Sequence, residues 1–163
     1  MEPSHQRIVV ALLVGLVLCA TGFWLGEEGG SPWAGLPIVT GLLGSLLVAF
    51  TVPGRLTKKA SLAVTATALY GLTFFAGLSS YSSAFAECIE RGEGVRVLLA
   101  EYHRTKSAYP ESLAQLETAA PCGRISRPTI LRYEVKTDGY DLRFGDWLVE
   151  HTASESEMFM AHK

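Results

Sequence analysis

Apolar and polar residues segregate along this chain on two scales. Residues 60–86 contain no Asp, Glu, Lys or Arg, and residues 87–104 are charged and spaced like a helix. Upstream lie two more apolar runs, residues 8–26 and 33–52, the latter between Pro32 and Pro53. At about 1.5 Å per helical residue, 20 residues span roughly the 30 Å hydrocarbon core of a bilayer. Three such runs within the first 81 residues, joined by short loops, leave no polar surface to cover them. The pattern predicts three transmembrane helices over residues 8–26, 33–52 and 60–81, and a lipid bilayer as the first partner.

Downstream the periodicity becomes that of a water-soluble fold. Val95, Leu98, Leu99 and Tyr102 fall at i, i+3, i+4 and i+7, one face of a helix, with Arg96 on another face. Gly92 and Gly94 each cost about 1 kcal/mol relative to Ala inside a helix, which predicts a bend between membrane helix and soluble helix. Tyr109-Pro110-Glu111-Ser112-Leu113 predicts a short second helix, with proline in its first turn and Leu113 and Leu116 facing the core. The period then changes to two. Leu131, Tyr133 and Val135 alternate with Arg132, Glu134 and Lys136, and Tyr140, Leu142 and Phe144 alternate with Asp141 and Arg143. Asp138-Gly139 between them predicts an antiparallel hairpin. Residues 147–152 and 158–161 are candidates for a third and a fourth strand. The fold class expected is therefore an α+β membrane protein: three transmembrane helices in residues 1–81, then a small domain over 82–163 made of a helix, a short helix and an antiparallel β-meander.

Charge adds an orientation. The chain is 48% hydrophobic with mean hydropathy +0.24, but residues 1–86 carry four basic and three acidic side chains, against ten and thirteen in residues 87–163. Neither part is basic enough to suggest nucleic acid. Arg7 precedes the first run, Arg55, Lys58 and Lys59 precede the third, and Glu27 and Glu28 follow the first. Basic loops stay cytoplasmic, so the N-terminus and residues 53–59 are expected inside and the C-terminal domain outside. A cleaved signal peptide ending near Ala20-Thr21-Gly22 is the alternative for the first run. Leu18 stands where a lipid anchor at Cys19 would require a small residue. Small residues at four-residue spacing (Ala63, Thr67 and Gly71; Gly41, Ser45 and Ala49) suit close helix packing, within the chain or against another membrane subunit.

No catalytic constellation is legible. His5, His103, His151 and His162 form no metal-spaced pair, and His103 with Glu101 reads as a solvated helix face. Asp138, Asp141 and Asp146 lack the dense oxygen-ligand pattern of a calcium loop. No phosphate loop and no serine nucleophile elbow occurs. No cofactor is expected. Arg124 and Arg127 lie in a proline-flanked loop, as solubilising charge or as part of a partner surface. Cys88 and Cys122 are the two cysteines of the outer domain, and an oxidising compartment favours a disulfide between them over two free thiols.

Leu98-Leu99-Ala100-Glu101-Tyr102, then Ser107-Ala108-Tyr109-Pro110-Glu111-Ser112-Leu113-Ala114-Gln115-Leu116, Leu131-Arg132-Tyr133 and Asp138-Gly139-Tyr140-Asp141-Leu142-Arg143-Phe144 carry a resemblance. About 60 residues of the chain are similar to the globular part of type II secretion pseudopilins and type IV pilin-like domains. Ser107 stands where that family usually has glycine, two residues before the tyrosine. The letters Gly22-Phe23-Trp24-Leu25-Gly26-Glu27 match the prepilin processing signal but follow an apolar run instead of preceding one. The resemblance implies a non-enzymatic interaction or scaffolding domain, held at the bacterial inner membrane and facing the periplasm, with other membrane or envelope proteins as partners. A membrane sensor and an accessory subunit of a membrane enzyme are the alternative functions.

Overall fold

The structure is a computed structural model that describes residues 3–28, 35–116, 122–145 and 149–162. The chain divides into two compact units, Met1–Tyr81 and Ser82–Lys163. Its helices are α1 (Pro3–Glu27), α2 (Gly35–Thr51) and α3 (Leu56–Lys106), and its strands β1 (Arg132–Lys136), β2 (Gly139–Gly145), β3 (Glu150–Ser154) and β4 (Met160–His162).

This corrects the expected fold class. Among the described residues only two helices, α1 and α3, are long and apolar enough to cross a membrane. The middle run forms a helix of 17 residues. At about 1.5 Å per residue that is roughly 26 Å, short of the hydrocarbon core. It ends at Thr51 because proline at 53 disfavours helical backbone before it. The soluble helix is not a separate element either, because α3 runs unbroken for 51 residues through Gly92 and Gly94. Gly92 is explained by packing rather than by bending: a Cβ there would lie 2.4 Å from the Phe159 ring. The expected second helix shrinks to a single 3-10 turn, Leu113–Gln115. The third strand starts at Glu150 and the fourth at Met160, three and two residues later than the alternation suggested. Trp147, expected to open the third strand, lies outside the described residues.

In the first unit the helices approach through glycine. A Cβ on Gly26 would sit 2.1 Å from the Phe74 carbonyl oxygen, and one on Gly77 would sit 2.1 Å from that of Phe23. α1 and α3 therefore touch backbone to backbone at this crossing, as small-residue interfaces allow. Gly41 lies under the Tyr70 ring, whose hydroxyl donates to the Pro37 carbonyl at 2.8 Å. Glu27, expected in an outer loop, is instead the last residue of α1 and fully buried, accepting a hydrogen bond from Ser80 at 2.7 Å. The letters resembling a processing signal are thus interior helix, with Gly22 and Gly26 facing α3. Leu12, Leu16, Leu43, Phe50, Leu72 and Phe75 point outward and are exposed, an apolar sheath far larger than the scattered apolar residues normal on a soluble surface.

In the second unit the four strands form an antiparallel meander in the order β1-β2-β3-β4. Alternation gives the sheet one face for the helix. Tyr140, Leu142 and Phe144 of β2 are buried, as is Ala153 of β3 opposite Leu142. Cys88, Val95 and Leu99 of α3 complete the core, with Tyr102 and Leu113 packed at its margin. Arg96 does not point away from this packing. It is largely covered, donating from Nε to the Ser154 carbonyl at 3.0 Å and pairing with Glu93 at 2.6 Å. Its guanidinium therefore ties α3 to the turn after β3. The segment past that turn is tied too, since the Phe159 N–H donates to Glu93 at 3.1 Å. At the other end of α3, Ser107 adopts φ 55°, a left-handed conformation that closes many helices and favours glycine.

Candidate functional site

Cys88 and Cys122 are joined by a disulfide, with their Cα atoms 5.1 Å apart and a sequence separation of 34. Both are fully buried in the core of the second unit. The bond attaches α3 to the loop that precedes β1. That loop is itself a tight hairpin. The Arg124 N–H donates to the Arg127 carbonyl at 2.7 Å, the Arg127 N–H returns to that of Arg124 at 3.2 Å, and the Ile130 N–H donates to Cys122 at 3.0 Å. Gly123 lets it close, because a Cβ there would strike the Pro128 carbonyl at 2.1 Å.

The Tyr-Pro segment is explained by aromatic packing. Tyr109 stacks on His103 at 4.4 Å and meets the Tyr140 ring edge-on at 5.0 Å. His103 is accordingly half-buried against a ring, not a solvated partner of Glu101. Pro110 is fully buried and its carbonyl accepts a hydrogen bond from the Tyr133 hydroxyl at 2.8 Å. Burial, with Glu155 adding its hydrogen bond and charge, pushes Tyr109 up to about 12. Burial, then the neighbouring Tyr140, does the same for Tyr133, also to about 12. Both hydroxyls thus stay protonated in the folded unit beyond the ordinary tyrosine value of 10. The sign follows: what they contribute to stability is fully present below about pH 10 and is lost as pH rises through about 12. A phenolate-absorbance titration is expected to show a late group of tyrosines ionising together with loss of near-UV ellipticity. Tyr109→Phe should shrink that group. Simultaneous ionisation of all tyrosines while the fold persists would disprove the assignment.

The two edges of the sheet differ. β1 carries Arg132, Glu134 and Lys136 outward, charges that discourage pairing with a foreign strand. β4 is Met160-Ala161-His162, exposed throughout, with Met158 72% exposed just before it. Among its described residues this strand has no Asp, Glu, Lys or Arg to repel an incoming strand, and the edge places two flexible thioethers at the surface. Methionine fits varied partner shapes. His151 is stacked on Phe144 at 4.8 Å and serves the core. Asp138 and Asp141 lie beside the β1–β2 turn, where Asp141 pairs with Lys136 at 2.5 Å; Asp146 lies outside the described residues. Among the described residues no group of three or more His, Cys, Asp or Glu side chains is placed to hold a metal ion.

Set beside known proteins, the chain matches no protein-family description, no curated protein and no solved structure. The site must therefore be read from its own geometry. Sequence reasoning placed a fourth strand at 158–161 but missed that it forms an edge of the sheet, because strand order is set by pairing and not by alternation within one strand. It also missed the convergence of arginines described below. Those positions are spread over 20 residues of loop and two strands, and only the register brings them together.

Proposed function

We propose that the chain is a multi-pass, non-enzymatic protein of the bacterial inner membrane whose second unit is a pilin-like interaction domain in the periplasm, built to bind or scaffold another envelope protein. The observation that carries this reading is the unprotected β4 edge with Met158 and Met160 exposed beside it, on a sheet braced by a buried disulfide. Such an edge suits pairing with a partner strand, whose side chains would meet the methionines. The left-handed Ser107 at the family's usual glycine position, and the Tyr109-Pro110 step with its buried proline, support the pilin-like assignment. The periplasmic placement is supported by the disulfide, which belongs in an oxidising compartment. It is also supported by Arg55, Lys58 and Lys59 at the opposite end of α3, where basic residues favour the cytoplasm.

Two measurements test this. Alkaline phosphatase fused after Lys163 should be active; a stable but inactive fusion would remove the periplasmic placement. A photo-crosslinking amino acid at position 160 should capture a secretion or pilus component in cells. Recovery of a histidine kinase instead would make the domain a sensor, and recovery of a membrane enzyme would make it an accessory subunit.

A further inference from the structure

The outer face of the sheet, opposite the one that α3 covers, violates a simple rule of strand pairing. Like charges directly opposite one another destabilise a sheet, yet the register sets Arg132 against Arg143 and Glu134 against Asp141. Diagonal ion pairs relieve most of this conflict. Arg143 pairs with Glu134, and Lys136 pairs with Asp141. Arg132 is left over: among the described residues it makes no ion pair. A position that breaks a local rule without compensation is where a functional site is expected.

Arg132 does not stand alone. It lines a hollow of about 360 Å³ together with Arg124, Arg127 and Arg143, and Glu150 is the one carboxylate among the described lining residues. That volume lies at the lower end of ligand pockets, roughly 300–1,000 Å³. Arg124 is only 6% exposed. The loop that carries Arg124 and Arg127 is held by the reciprocal hydrogen bonds between those two residues and by the disulfide at its root. The backbone that carries both arginines is therefore fixed, which lowers the ordering cost of binding. Planar guanidinium forks match tetrahedral oxyanions by paired, charge-assisted hydrogen bonds.

We propose that this arginine-lined hollow binds a phosphate group, free or carried on a lipid headgroup. Arg132 would supply the accessible fork, Arg143 would turn from Glu134 toward the anion, and Arg124 and Arg127 would form the fixed wall. The site is distinct from the β4 edge and does not rest on the interaction reading.

The test uses the full chain in a phosphate-free maltoside detergent at low salt. Titration calorimetry would be run with inorganic phosphate and, separately, with dihexanoyl phosphatidylglycerol below its micelle concentration. Saturable binding of at least one probe is expected. Arg132→Gln should weaken it about tenfold, the loss of one charge-assisted contact. Lys136→Gln, on the same face but outside the hollow, should bind like the native chain. Inorganic phosphate alone saturating would assign a free anion, and the lipid alone a headgroup. Failure of both probes to saturate would overturn the proposal, as would an Arg132→Gln loss smaller than about threefold or an equal loss in Lys136→Gln. Arg132 is exposed, so its variant is expected to fold; an intact Cys88–Cys122 bond by non-reducing mass spectrometry verifies this.

Discussion

Replacing Cys88 and Cys122 together by alanine is expected to lower the stability of the second unit by about 3–4 kcal/mol. The loop-entropy argument gives that figure for a closure of 34 residues. It is a large fraction of the 5–15 kcal/mol that typical domains possess, and this unit is small. The effect should exceed that of ordinary surface changes, because both sulfurs lie in the core beside Val95 and Leu99. Urea unfolding of the full chain in mild detergent, followed by near-UV ellipticity with and without reductant, would measure it. The native chain plus reductant should approach the double variant, and a midpoint unaffected by either treatment would show that the bond contributes nothing. Alkylation without reductant should leave positions 88 and 122 unmodified.

The second large effect is expected at Leu99. Its side chain is fully buried between α3 and the sheet, against Leu142 and Phe144. Leu99→Ala should cost roughly 2–5 kcal/mol, the transfer term plus the cavity left behind. Val97, two residues away and 68% exposed, is the control: Val97→Ala should stay within about 0.5 kcal/mol. Arg96 cannot serve as that control, because its hydrogen bond to the Ser154 carbonyl makes it part of the packing. Equal costs at 97 and 99 would refute the assigned helix face.

The core of the second unit was legible because its signal is local. Val95 and Leu99 mark a helical face, and Tyr140, Leu142 and Phe144 mark a strand face, by spacing alone. Continuity was not legible. Glycines at 92 and 94 lower helix propensity, but propensity is a weak term beside the tertiary contacts that Cys88, Val95 and Leu99 make on either side of them. The length of α2 was over-read for a related reason. Apolar composition continues to residue 52, while the helix ends at Thr51, two residues before Pro53. The arginine hollow was invisible because cross-strand register is a property of pairing, and no spacing within one strand reveals which residue will face Arg132.

The sheet order has a consequence for the timing of biogenesis. Each strand of the meander pairs with its neighbour in sequence, so every hairpin closes a short loop, an event of microseconds. Forming a disulfide takes seconds or longer. The sheet is therefore able to assemble before any oxidant acts. Docking of α3 on the sheet then brings the two thiols together, and oxidation seals an arrangement that packing has already chosen. An enzyme that shuffles mispaired bonds would have little to correct here. The second unit holds only these two cysteines, and the fold itself is the template that aligns them.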